Sequence, residues 1–227
     1  MAVTEVTRGQ MRDAIARYPK PRSALMPLLH LVQADEGRIS PEGITVVAEE
    51  LGLTEAEVTA VATFYTMYLK RRSGEYRVGV CINSLCAVLG GDALWDELTA
   101  YVGVGHDETT EDGRITLERI ECQAACTHAP VMTANWEFLD DMTVQKAKDV
   151  IDRLRAGEEV RSTRGPVVRS FQEAERTIAG VPDGLADDGD VRDDRMLAGL
   201  RLAKENGDFD RAAAARTQVS APPVKGA

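Results

Sequence analysis

Four cysteines fall as two close pairs, Cys81 with Cys86 and Cys122 with Cys126, and no other cysteine occurs in the 227 residues. The spacing is C-x4-C, a long gap, then C-x3-C. Pairs so far apart along the chain can serve one site only if the fold returns twice to the same end of the molecule. Four thiolates brought to one point suit a tetrahedral zinc ion or an iron–sulfur cluster. The remaining sequence therefore reads as a frame for that point.

Spacing leans towards the cluster without excluding zinc. Zinc ribbons favour two short x2 knuckles, whereas plant-type ferredoxins open with C-x4-C because a two-iron cluster is wider than one ion. Neither pair is the C-x-x-C of a thiol–disulfide motif. A Rieske centre needs two histidine ligands, and the chain has only three histidines: His30 on a helical stretch, His106 in a loop, and His128 two residues past Cys126. His128 is the one placed to ligate or to hydrogen-bond a cluster sulfur, although an exposed loop histidine is the favoured reading; His30 and His106 read as structural or surface residues.

Composition removes other classes. The net charge of −10 argues against a nucleic-acid partner. No apolar signal core follows Met1, and no run of about 18 apolar residues occurs. A cytoplasmic chain is expected, where thiols stay reduced and clustered cysteines bind metal more often than they form disulfides. There is no dinucleotide fingerprint, phosphate loop, Ser/His/Asp set or other catalytic residue. A redox centre with no site for a soluble donor exchanges electrons with a partner protein, so the chain reads as a subunit.

Periodicity predicts helices over 11–18, over 23–34 with Pro27 in the first turn, from Ser40-Pro41 to Gly52, and from the capping box Thr54–Glu57 through Leu69. Tyr76–Val80 alternates as a strand delivering Cys81. Gly90-Gly91 reads as a turn and Asp92 as the cap of a helix carrying Leu94, Trp95, Leu98 and Tyr101. Strands over 114–121 and 130–135 follow, the second turning through Asn135 into Trp136–Leu139. Thr143 caps a last helix ended by Gly157. The fold class is thus α+β: a helical domain over 1–72, a compact α/β domain similar to thioredoxin over 73–157, and an extended tail over 158–227. The tail is charged and poor in large apolar residues, apart from a short helical stretch over 195–204, and is expected to order on a partner.

Several motifs together carry a family likeness. They are Val61-Ala62-Thr63-Phe64-Tyr65, Val80-Cys81 to Cys86 with Gly90, Gly105 to Leu117, and Glu121-Cys122-Gln123-Ala124-Ala125-Cys126-Thr127-His128-Ala129-Pro130. Over roughly 11–157 the chain resembles the E-subunit family of bacterial NADH–quinone oxidoreductase (respiratory complex I), homologous to the mitochondrial flavoprotein-2 subunit. The resemblance implies a thioredoxin-like [2Fe–2S] ferredoxin domain with Cys81, Cys86, Cys122 and Cys126 as ligands. It also implies docking on the F subunit, which bears FMN and NADH, contact through it with the iron–sulfur G subunit, and a peripheral place on the inner face of the plasma membrane. Similar subunits occur in NAD-linked formate dehydrogenases and hydrogenases, and a zinc-stabilised docking module is the alternative of a different class. Gln123-Ala124 stands where the family often has Leu-Gly, so Gln123 offers an added hydrogen bond near the site. Glu121 would lower a cluster's potential if its carboxylate faced inward.

Overall fold

The structure, a computed structural model, describes residues 3–185, 189 and 193–211. Those up to 189 belong to one compact unit and those from 193 to a second.

The first unit begins with helices α1 (Glu5–Ile15), α2 (Leu25–Glu36), α3 (Pro41–Leu51) and α4 (Glu55–Phe64), with a 3-10 turn at Pro21–Ala24 before α2. α1 starts earlier than its periodicity predicts because Thr4 caps it, accepting from the Thr7 N–H at 3.2 Å. The Ser40 hydroxyl caps α3 by accepting from the Gly43 N–H at 2.9 Å, and Pro41 opens the helix where its missing N–H costs nothing. The Thr54–Glu57 box at α4 is closed in both directions. These bonds, with Arg22 added, hold the Glu57 carboxyl down to about 2. A depressed carboxyl stabilises the fold above its unfolded value and loses that contribution as pH falls through the folded one. Glu57 should therefore stay ionised until about pH 2 in a carboxyl NMR titration, and a midpoint at an ordinary carboxylate value would refute the cap.

α4 stops at Phe64 instead of running through Leu69, because Tyr65 turns extended. The Gln33 side chain takes over the backbone groups beyond it, accepting from the Leu69 N–H at 2.6 Å and donating to the Met67 carbonyl at 2.9 Å. Ile39 adds an N–H bond to the Leu69 carbonyl at 2.8 Å. Tertiary hydrogen bonds thus override helical spacing. Met11, Leu28, Leu29, Val32, Val47 and Val58 fill the core of this half.

The second half is a five-stranded sheet: β1 (Tyr76–Cys81), β2 (Glu108–Thr109), β3 (Ile115–Ile120), β4 (Met132–Ala134) and β5 (Glu137–Leu139), in the order β2-β3-β1-β4-β5. With two residues, β2 is too short to show an alternation, so periodicity gives no sign of it. β1 and β3 run parallel, with Tyr76 opposite Ile115 and Cys81 opposite Ile120, while the other pairs are antiparallel. Parallel neighbours need a long crossover. It contains a one-turn helix α5 (Ser84–Cys86) and helix α6 (Asp92–Val102). Helix α7 (Val144–Ala156) follows β5, and Thr143 caps it. Val78, Val80, Leu98, Ile115, Leu117, Met132, Ile151 and Leu154 form the sheet-side core. The β4–β5 turn places both Asn135 and Trp136 at positive φ, the geometry that matches the twist of a two-residue hairpin.

Residues 158–181 correct the expectation of an extended tail over 158–227. Val160 and Val168 are buried in the sheet core, and the Phe171 N–H donates to the Glu75 carbonyl at 2.8 Å. Helix α8 (Phe171–Ile178), opened by the Ser170–Glu173 capping box, then lies against α2. There the fully buried Glu175 meets His30 Nδ1 at 2.7 Å and accepts from Gln33 Nε2 at 2.9 Å. Composition missed this because a few well-placed apolar residues and one paired carboxylate suffice to dock the strap. His30 is accordingly a buried structural residue.

In the second unit, helix α9 (Asp194–Glu205) is capped by Asp193 and matches the stretch predicted over 195–204. The parts of the tail expectation that fall on 186–188, 190–192 and 212–227 lie outside the described residues. Among the described residues no helix is long and apolar enough to cross a membrane.

Candidate metal centre

Both cysteine loops leave the same end of the sheet because β1 and β3 are parallel and in register. Cys81 closes β1, its N–H bonded to the Val131 carbonyl at 3.0 Å, and the Ile82 N–H bonds the Ile120 carbonyl at 3.2 Å. Cys122 follows two residues after β3. After Cys81 the chain coils through α5, which carries Cys86, and a wider π turn over Ala87–Gly91 leads straight into α6. Asp92 is therefore the first residue of α6 and caps nothing.

Gly91 is dictated by this coil: a Cβ there would sit 2.7 Å from the Cys81 carbonyl oxygen and 2.8 Å from that of Cys86. Gly90, at φ +112°, supplies the turn itself. The second loop bends at Ala124, whose φ is +56°, and ends in a short 3-10 turn, Cys126–His128.

One cleft is lined by all four cysteines together with Asn83, Leu85, Gln123, Ala125 and Val131. Cys81 and Cys86 form its buried floor, while Cys122 and Cys126 stand exposed at its mouth. The Cys122 and Cys126 sulfurs are 3.5 Å apart, and the Ala124 N–H donates to Cys122 Sγ at 3.4 Å. Burial pushes the Cys86 thiol up to about 11, helped by a hydrogen bond with Cys81. The hydrogen bond with Cys122 is the first cause that raises Cys126. No lysine or arginine lines the cleft, so four thiolates there need the positive charge of bound metal.

The closest sulfur contacts are within each pair, Cys122 with Cys126 and Cys81 with Cys86. That arrangement, a buried pair facing an exposed pair with an N–H aimed at sulfur, fits a group that takes two thiolates at each of two irons.

The remaining candidates lie elsewhere or play other parts. His128 is buried and not the exposed loop residue expected, with Nδ1 3.3 Å from Asp141, and it does not line the cleft. His106 accepts from the Arg119 N–H at 3.1 Å. Gln123 reaches the cleft wall, but its Nε2 donates to the Glu121 carbonyl at 3.0 Å and not to sulfur. Glu121 is exposed and held by Asn83.

The departure at Ala124 also has a physical meaning. A residue in the left-handed region pays roughly 1–2 kcal/mol for its Cβ, which glycine does not. Ala124→Gly should therefore stabilise the chain by about 1 kcal/mol in urea unfolding. A destabilised variant would contradict the positive φ.

The comparisons with known proteins agree with this geometry. The E subunit of the NADH-quinone oxidoreductase of Mycobacterium tuberculosis (strain ATCC 25618 / H37Rv) is 48% identical over 217 residues, 95% of this chain and 82% of that protein. The protein named second among the subunits of the NADH-quinone oxidoreductase of Thermus thermophilus is 36% identical over 159 residues, 69% of this chain and 88% of that protein. In fold alone, the crystal structure of an air-oxidised NAD+-reducing [NiFe]-hydrogenase is similar at a TM-score of 0.53 and 18% identity, over 59% of this chain and 23% of that one. A family model described as thioredoxin-like [2Fe–2S] ferredoxin matches residues 11–155, and this chain belongs to that family.

Proposed function

We propose that the chain is the electron-transfer subunit of an NADH:quinone oxidoreductase and holds one [2Fe–2S] cluster through Cys81, Cys86, Cys122 and Cys126. The observation that carries the ligand assignment is the single cleft on which the only four cysteines of the chain meet two by two. When bound, the cluster supplies one-electron redox chemistry. Cys81 and Cys86 fix it to the sheet end and keep water from one side, while Cys122 and Cys126 present the other side to a partner. The Ala124 N–H, aimed at Cys122 Sγ, favours the charged sulfur.

The partner in this reading is the adjacent flavin-bearing, NADH-oxidising F subunit, with the iron–sulfur G subunit beyond it, in a complex peripheral to the inner face of the plasma membrane. The relatives' names favour this assembly over a hydrogenase, to which an 18% identical fold likeness points, and over a formate dehydrogenase. A zinc-stabilised docking module is disfavoured by the match to the thioredoxin-like [2Fe–2S] ferredoxin family.

The deciding experiment is iron, zinc and acid-labile sulfide per chain on anaerobically purified protein, with an EPR spectrum after dithionite reduction. Two irons, two sulfides and a rhombic S = 1/2 signal are expected. One zinc and no sulfide would overturn the electron-transfer reading.

A further inference from the structure

Away from the cysteines, the last residue of α4 and the turn that follows it carry a second surface. Phe64 is 77% exposed and Tyr65 41% exposed, their rings 4.9 Å apart edge to face. Lys70, Arg71 and Arg72 follow, all exposed, and among the described residues none is paired with a carboxylate. By contrast Arg8, Arg77, Arg114, Arg155, Arg164 and Arg176 each face an acidic side chain. The aromatic pair and the three cations line one groove, whose sheet-side wall includes Arg77, His106 and Asp107, the carboxylate of Asp107 being paired with Arg77.

The groove is also held from beneath. Gln33 bonds both the Leu69 N–H and the Met67 carbonyl, and the Tyr68 hydroxyl donates to the Met26 carbonyl at 3.2 Å. Phe64 and the cations therefore stand outward on a turn whose inner side is fixed, so little ordering is lost when something docks.

We propose that this groove seats an acidic segment of the partner protein, one that also offers an apolar pocket to Phe64. Three unneutralised cations on a chain of net charge −10 are complementary to an acidic surface. An exposed aromatic beside them adds the anchor that a protein interface uses. The proposal rests on the reading of the chain as a subunit of a redox complex.

The test uses the full, cluster-loaded chain and, as probe, the purified flavin-bearing, NADH-oxidising protein from the same organism. Affinity is measured at low and high salt for the wild type, for Phe64→Ala, for the triple reversal Lys70→Glu, Arg71→Glu, Arg72→Glu, and for Lys204→Glu as a control. Iron content and circular dichroism report folding; none of the changed side chains is buried. The triple reversal should weaken binding at least tenfold at low salt and remove the loss of affinity with salt. Phe64→Ala should weaken it about tenfold at either salt, and the control should bind as the wild type does. Wild-type affinity and salt dependence in both variants would overturn this surface alone. So would variants that keep the flavoprotein but lose binding to vesicles containing phosphatidylserine. Absence of wild-type binding at any salt would overturn the partner assignment and this surface with it.

Discussion

Cys86→Ser should empty the site: iron and sulfide fall to background and the reduced EPR signal disappears. Serine's hydroxyl does not ionise in this range, and at 2% exposure position 86 has no solvent to replace the lost ligand. Even changes outside the ligand shell cost roughly 10–100-fold in metal affinity, so loss of a buried ligand should exceed that. Cys122→Ser should be milder, because water reaches the mouth of the cleft. Cys86→Ser protein with full iron and sulfide would remove Cys86 from the ligand set. The readout is elemental content on a chain whose far-ultraviolet dichroism is unchanged.

Glu175→Ala has the second largest expected effect, on stability. The carboxylate is fully buried between His30 and Gln33. Removing it leaves His30 Nδ1 without its partner and takes one of the bonds of Gln33, which costs about 2–4 kcal/mol by the desolvation of unpaired buried groups. Urea unfolding should show that loss, and residues 158–181 should gain hydrogen exchange ahead of the sheet. Glu175→Gln keeps one acceptor for Gln33 and should lose less. An alanine variant as stable as the wild type would mean that α8 is held by its apolar contacts alone.

The parts of this molecule that were legible in the sequence are those governed by local rules. Ser40-Pro41, the Thr54–Glu57 box, Thr143 and Gly157 mark helix ends through bonds made within a few residues. The strand into Cys81 and the hairpin at Asn135-Trp136 are equally local. The four cysteines were found because their residue type and spacing are rare. What escaped is what long-range contacts decide. Gln33 ends α4 from more than thirty residues away. Glu175 turns a charged stretch into a docked helix through partners 142 and 145 residues distant. Gly91 looked like half of an ordinary turn, and only the approach of two cysteine carbonyls explains it. At Ala124 the family's glycine was the available signal, and the positive φ supplies its reason.

The strap also sets an order on folding during synthesis. His30 and Gln33 emerge early, yet the carboxylate that satisfies them lies 145 and 142 residues later. Until Glu175 leaves the ribosome, the inner polar side of α2 has no such partner and the first half remains open along that seam. The sheet meanwhile has all five strands by Leu139. Domains tend to complete from the N-terminus as they are made, but here both halves wait for one late segment, Val160 and Val168 filling the sheet core and Glu175 closing the first helices.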